Sequence, residues 1–290
     1  MPKSWALNYH FIAYLDILGQ SEELLKLGKL PSTPQEKIKA AEILHNTAGY
    51  IICLRKYFLQ YYKITSRPTS ILNSLPDDKR ELAKSMRKIK ADWKGFSDSI
   101  TIDVPLDNID EHCTSMNSIY ASLFAICGIS LLALASKKPL RGGIDIGIAT
   151  PIARKEIYGP ALVRAINLEC KKADYPRILV GESVWDYLTL IERQNPRAFQ
   201  GQLAKKHANE SKSFITTDED GYKILDIIGQ GVYGFANQIR PRLIEDGYKF
   251  VTDAQQAYKA SNDTKLFQRY TLLRNYIESR LHIWGIKAIS

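Results

Sequence analysis

The chain has 290 residues, 45% of them hydrophobic and 10% aromatic, which suits a globular protein with a real core, as one large domain or two small ones. Its net charge of +9 suits a polyanionic partner such as nucleic acid, anionic lipid or a nucleotide. The basic residues are scattered, however, and their one local cluster, KRELAKSMRKIK at 79–90, reads as a solvated helix face.

Residues 10–16 read as a strand, and a short helix is expected near 20–27. Residues 33–65 read as one long helix, opened by Thr33 as N-cap with Glu36 three residues on. The stretch 67–91, with Pro68, Pro76 and many charges, reads as an excursion. WKGFSDSITIDVPL, at 93–106, predicts two strands joined by a tight turn at 97–99. An apolar helix is expected over 110–136, then a strand at 140–150, a helix at 160–172, a strand at 177–181 and a short helix at 182–190. A strand at 222–228 follows, and the chain from about 235 is helical, without repeats or low-complexity tracts. This mixture predicts an α/β, or α+β, sandwich.

The segment 113–136 carries no charge and is long enough to span a bilayer. Its polar first third (Thr114, Ser115, Asn117, Ser118) favours a helix buried against a sheet. Cys53, Cys113, Cys127 and Cys170 have no zinc or CxxC spacing and read as reduced core residues of a cytosolic protein. The start, MPKSWALNYH, has no apolar core of signal-peptide type. His10 is placed before the first strand, His45 and His112 in helices, His207 in a polar loop and His282 near the end, none at metal-ligand spacing. The glycine-rich GQGVYGFANQ at 229–238 lacks the lysine of a phosphate loop and reads as a plain loop. Trp5, Trp93, Trp185 and Trp284 are too dispersed for a nucleic-acid stacking platform.

Two carboxylates stand out. Asp16 leaves an apolar strand in FIAYLDILGQ, and Asp98 sits in the turn GFSDSI. By itself each is a cap or a satisfied turn aspartate as readily as a functional group. If their strands are neighbours, the two charges raise each other's proton affinity unless a cation holds both. Two aspartates with no Cys or His nearby suit Mg²⁺ or Mn²⁺, whose other ligands are water and substrate phosphate.

FIAYLDILG, KGFSDSI, LRGGIDIG and EIYGPALVRAINLE, in this order and followed by ADYPRIL at 173–179, resemble the class III nucleotidyl cyclases. They are most similar to the pyrimidine nucleotide cyclases of bacterial anti-phage (Pycsar) systems. The resemblance covers about residues 10–181. It implies a ferredoxin-type core sheet with flanking helices, within a cyclase domain at 1–230 that carries a helical insertion at about 33–91. A helical C-terminal extension would occupy 231–290. It makes Asp16, the Ile17 carbonyl and Asp98 the ligands of two Mn²⁺ or Mg²⁺ ions, and Arg141 the holder of the triphosphate. Lys94 and Glu156 match base-contacting positions. The asparagine and arginine of the family's transition-state helix fall on Val163 and Asn167, with Arg164 beside them as a substitute. Gly142 and Gly143 either admit close backbone approach or mark a tight packing contact.

The implied activity is conversion of UTP, or CTP, to the 3′,5′-cyclic monophosphate. It would work in a cytoplasmic head-to-tail homodimer, without nucleic acid or membrane as partner, and its product would be read by a separate effector in phage defence. An adenylate or guanylate cyclase, and a catalytically inactive cyclase-like domain that only binds nucleotide, are the alternatives; a basic nucleic-acid-binding protein is a weaker third. The apolar helix lies between Asp98 and Arg141, so a membrane span there would put these residues of one site on opposite sides of the bilayer.

Overall fold

A computed structural model describes residues 8–65, 76–85, 91–106, 112–152 and 156–289. Strand β1 (Asn8–Ile17) alternates two kinds of residue. Phe11, Ala13, Leu15 and Ile17 enter the main apolar core, while His10, Ile12, Tyr14 and Asp16 take the other face. The short helix α1 (Gln20–Leu25) follows, then α2 (Pro34–Thr65). The α2 N-terminus forms the expected box: the Glu36 amide donates to Thr33 Oγ1 at 3.2 Å, and the Glu36 carboxylate accepts from the amides of Ser32 and Thr33. Within the expected excursion lies helix α3 (Asp77–Ser85); residues 67–75 and 86–90 of that stretch lie outside the described residues.

Strands β2 (Asp92–Phe96) and β3 (Ser99–Leu106) form the expected hairpin around Ser97 and Asp98. Ser97 holds φ at 56°, and Ser99 Oγ closes the turn by donating to the Phe96 carbonyl at 2.8 Å. Helix α4 (His112–Ala135) leads to β4 (Leu140–Pro151), which turns back as β5 (Ile157–Tyr158). After these come α5 (Pro160–Lys172), β6 (Ile178–Val180), α6 (Glu182–Arg193), α7 (Phe199–Lys212), β7 (Ile215–Thr217) and β8 (Lys223–Leu225). The described chain ends with α8 (Gln230–Tyr233), α9 (Pro241–Ala260), α10 (Thr264–Glu278) and a 3₁₀ turn at Leu281–Trp284.

The strands make one mixed sheet of eight, in the order β2-β3-β1-β4-β6-β8-β7, with β5 attached to β4. Strand β1 runs antiparallel to both β3 and β4, whereas β4 and β6 are parallel. The elements β1-α2-β2 and β3-α4-β4 are therefore two interleaved strand–helix–strand units. Helices α2 and α4 cover one face, where Leu54, Phe58, Tyr61, Ile119 and Phe124 meet the apolar side of β1 and β3. Helix α5 covers part of the other face, through Ala161 and Ala165 against Ile12 and Ala149.

Within α4, residues Ser115–Ala135 are long and apolar enough to cross a bilayer, but 83% of the apolar window is buried inside the fold. Its apolarity serves the core, as the polar start and its place in the chain predicted. Helices α9 and α10 also pack into this core, through Tyr248, Val251, Leu273 and Ile277. The C-terminal extension thus shares its core with residues before 231. Tyr276 and Arg280 fasten it further by donating to Asp226 at 2.8 and 2.6 Å, and Trp284 Nε1 donates to the Ile228 carbonyl at 2.8 Å.

Several expectations need correction. The segment 199–217 carries α7 and β7, for which the sequence pattern predicts no element. His207 stands on α7, not in a loop, where it pairs with Glu210 and stacks on Tyr120. The glycine-rich segment carries α8. The strand expected at 222–228 stops at Leu225, and the chain then turns, the Gly229 amide donating to the Asp226 carbonyl at 3.2 Å.

Gly142 and Gly143 are packing contacts. A methyl group on Gly143 would lie 2.2 Å from the Ala165 carbonyl oxygen and 2.6 Å from Leu168 Cβ. One on Gly142 would lie 2.6 Å from the Tyr14 carbonyl oxygen. The missing Cβ at 143 is what lets α5 lie directly on β4. Gly143→Ala is therefore expected to destabilise the fold by about 1–3 kcal/mol, the usual cost of forcing extra atoms into a packed contact. A urea midpoint equal to that of the unsubstituted chain would refute this.

Candidate active site

Three elements end at one corner of the sheet. Asp16, at the exit of β1, stands opposite Ser99 of β3 on one side and Arg141 of β4 on the other. The β2–β3 turn is tied to the same strand end, because the Ile17 amide donates to the Asp98 carbonyl at 3.1 Å. The expected pair, Asp16 and Asp98, is thus brought together, and Arg141 joins it. Ile17 turns its side chain into the core and contributes only backbone here.

Helix α5 supplies a fourth charge. Glu169 is 3% exposed and follows Ala161 and Ala165 along the buried stripe of α5. Arg141 Nε donates to Glu169 Oε1 at 2.6 Å, and Nη2 contacts the same oxygen. The second oxygen, Oε2, accepts from the Cys170 thiol at 2.8 Å. Arg141 Nη2 is 3.9 Å from Asp16 Oδ2, so it favours Glu169 over Asp16. Two carboxylates, Glu169 and Asp16, therefore share one guanidinium, with Asp98 close to Asp16. Burial, then the charges of Glu169 and Asp98, push Asp16 up to about 6, against the smaller opposing pull of Arg141. Burial also raises the neighbouring Tyr14 phenol, whose hydrogen bond to Ser99 pulls it the other way.

Arg141 was expected to hold phosphate, but two of its nitrogens are engaged by Glu169. The sequence motifs assign Glu169 no role, although it closes the motif RAINLE. Its four-residue spacing from Ala165 was the available signal. Cys170, read as a core residue, is exposed; the hydrogen bond to Glu169 and burial push its thiol up to about 11, which makes it a poor nucleophile at neutral pH.

Lys94 stands on the same face of the hairpin, opposite Thr101. Its ammonium donates to Asp103 at 3.1 Å and lies 3.7 Å from Asp92. Asp103 also pairs with His10 Nδ1 at 2.6 Å. His10 is therefore a buried residue within β1, not one preceding it. Arg164 is likewise engaged: Nε donates to Asp145 at 2.9 Å and Nη2 to the Ile146 carbonyl at 2.9 Å. Val163 is exposed, and Asn167 is half-buried one turn further along α5.

Glu156 is the expected site residue that this chain does not bring to Asp16. It is exposed at the β4–β5 turn, where its carbonyl accepts from the Ile152 amide. The ten-residue run of β4 from Arg141 to Pro151 puts it about 30 Å from the Asp16 corner.

A hard divalent cation fits the corner in charge and donor type. Asp16 and Asp98 are oxygen donors with uncompensated negative charge, and Mg²⁺ or Mn²⁺ needs only one or two carboxylates besides water and phosphate. Among the described residues, no group of three or more His, Cys, Asp or Glu side chains forms a fuller cage.

The raised Asp16 has a definite consequence for stability. Its folded value, about 6, lies above the ordinary 3.8, so the folded chain binds this proton more tightly than the unfolded one. Its contribution to stability is greatest below about pH 4, falls as pH rises through the window from 4 to 6, and stays low above it. The full displacement is worth at most about 3 kcal/mol, and screening at a side chain that is 25% exposed reduces this to about 1 kcal/mol. Asp16→Asn is expected to melt higher than the unsubstituted chain at pH 7.5, with the gap closing toward pH 4. A gap that is constant with pH in thermal melts would show that Asp16 titrates normally.

No protein-family model matches the chain, and no curated protein matches it, so the functional reading rests on the motifs and on this geometry.

Proposed function

We propose that the chain is a class III-type nucleotidyl cyclase, acting on a pyrimidine nucleoside triphosphate, UTP before CTP. The observation that carries this reading is the convergence of Asp16 and Asp98 at one sheet corner with negative charge in excess. The strand order β2-β3-β1-β4 with two interleaved strand–helix–strand units supports a ferredoxin-type core, the fold the motif resemblance implies.

In the reaction the ribose 3′-hydroxyl gives up its proton to solvent and its oxygen bonds to the α-phosphorus. The bond from phosphorus to the bridging oxygen breaks, and pyrophosphate leaves with the electron pair. Asp16 and Asp98 would hold divalent cations, which would supply Lewis-acid stabilisation of the charge that develops in this displacement. The chain's role is positioning and charge neutralisation. Arg141 stands at the same corner, with its guanidinium held by Glu169. Arg164 and Lys94 offer cationic groups on the same sheet face, each released from an internal carboxylate when it binds substrate. Glu156 reaches a nucleotide at Asp16 only from a second copy placed head to tail, which agrees with a homodimer with two shared sites. Exposed Phe96, Val163 and Tyr158 give such a pairing apolar surface to cover. The product would be a cytoplasmic second messenger, read by a separate effector in anti-phage defence.

One observation favours a second reading. Arg141, Arg164 and Lys94 are all held by carboxylates of the chain itself, and Val163 stands where the family has asparagine. A cyclase-like domain that binds nucleotide without turning it over would look the same. Purified protein given all four nucleoside triphosphates with Mn²⁺ separates the readings by product mass. Cyclic UMP, with less cyclic CMP, is expected; cyclic AMP or cyclic GMP as the main product would make it a purine cyclase, and no cyclic product would favour the binding domain.

Asp16→Ala and Asp98→Ala are each expected to abolish turnover while leaving the far-UV circular dichroism unchanged. Because Asp16 faces Arg141 at the start of β4 and Glu156 lies just beyond the end of that strand, mixing Asp16→Ala chains with inactive Glu156→Ala chains should restore activity. Random pairing gives about a quarter of the unsubstituted rate, since half the dimers carry one intact site of two. A mixture no more active than its components would remove the shared-site geometry.

A further inference from the structure

The resemblance assigns Glu169 no role, although Glu169 closes one of its motifs, yet it makes the shortest contacts to Arg141. We propose that Glu169 is a positioning residue that holds Arg141 away from Asp16 and so keeps the Asp16 carboxylate available to a divalent cation. The proposal rests on the cation-binding aspect of the reading above, and not on which nucleotide is used.

Arg141 and Asp16 are cross-strand neighbours in register, where opposite charges pair readily. Left alone, a guanidinium beside a buried-edge carboxylate closes onto it bidentately. Here it does not: Nη2 stays 3.9 Å from Asp16 Oδ2, while Nε lies 2.6 Å from Glu169. Glu169 can compete because it is fixed. It is buried on α5, its Oε2 accepts from Cys170, and Gly143 admits α5 close enough to β4 to bring it within reach. A closed Arg141–Asp16 pair would neutralise the carboxylate and cover one of its oxygens. The sheet corner would then present a single carboxylate, Asp98, to a cation.

The arrangement predicts a specific non-additivity. If Glu169 only adds negative potential, removing Arg141 should strengthen cation binding by the same factor whether or not Glu169 is present. If Glu169 restrains Arg141, removing Arg141 should matter most when Glu169 is gone, because Arg141 then lies on Asp16. The probe is Mn²⁺ alone, titrated against purified full chain at pH 7.5 and followed by the loss of the free-ion electron paramagnetic resonance signal. Glu169→Gln is expected to weaken Mn²⁺ binding by roughly tenfold, within the range of coupling between contacting residues. Glu169→Gln with Arg141→Gln is expected to recover the affinity of the unsubstituted chain, while Arg141→Gln alone changes it by about twofold or less.

Equal factors for Arg141→Gln in both backgrounds, or no loss in Glu169→Gln, would overturn the proposal. So would an unsubstituted chain that binds no Mn²⁺. Nucleotide turnover is scored separately, so a chain that shows the coupling but makes no cyclic product leaves the positioning role standing and removes only the cyclase reading. Should Glu169→Gln fail to fold, Cys170→Ala replaces it. That variant frees one oxygen of the same carboxylate and is expected to weaken Mn²⁺ binding in the same direction by a smaller factor; unchanged affinity there would count against the proposal.

Discussion

Strand β1 is hydrogen-bonded along nearly its whole length to β3 on one edge and to β4 on the other. Its register fixes both neighbours, and its two-residue alternation divides the sheet into a wholly apolar face and a mixed one. A slip by one residue would send Asp16 into the core and expose Leu15. The apolar face demands helices long enough to cover it, which α2 and α4 provide. The mixed face is covered in part by α5, with Ser183 of α6 reaching Asp145, and it carries the charged groups.

Those charges are arranged in self-contained sets along the mixed face. Lys94, Asp103 and His10 form one, Arg164, Asp145 and Ser183 a second, and Asp16, Asp98, Arg141 and Glu169 a third. The first two balance or nearly balance their charge within hydrogen-bonding distance, which offsets part of the cost of desolvating Asp103 and Asp145. The third does not balance, and it lies at the strand ends beside the β2–β3 turn. Excess negative charge at a partly desolvated corner is unfavourable to the empty fold and favourable to a bound cation, a combination common at functional sites.

The second set also explains why the expected roles on α5 shift. Gly147 leaves room for the Arg164 guanidinium over β4, where Asp145 holds it. Arg164 therefore lies along the sheet, and Val163 and the half-buried Asn167 stand on the side of α5 turned away from it. The side that α5 turns inward carries Glu169. The motif resemblance points to the outward positions of this helix, and its strongest electrostatic contribution comes from the inward one.

Much of the frame was legible in the sequence because it follows from short-range rules. Apolar alternation gave β1, β3 and β4; the Thr33–Glu36 box gave the start of α2; turn residues gave the hairpin that presents Asp98. The polar opening of the 112–135 helix marked it as a core helix. Helix α7 and strand β7 escaped because their apolar residues are few and their burial depends on distant partners such as Tyr120 on α4. The pairing of Asp16 with Asp98 was open to inference from two strand-end aspartates, but which charges reach Asp16 was not. Arg141 and Glu169 are 28 residues apart, His10 and Asp103 are 93, and only the sheet order and the close seat of α5 on Gly143 join them. Local sequence determined which elements form and which face each residue takes, because backbone geometry repeats every few residues. The tertiary structure alone decided which carboxylate each cation serves, because a charge chooses its partner by distance through space and by burial.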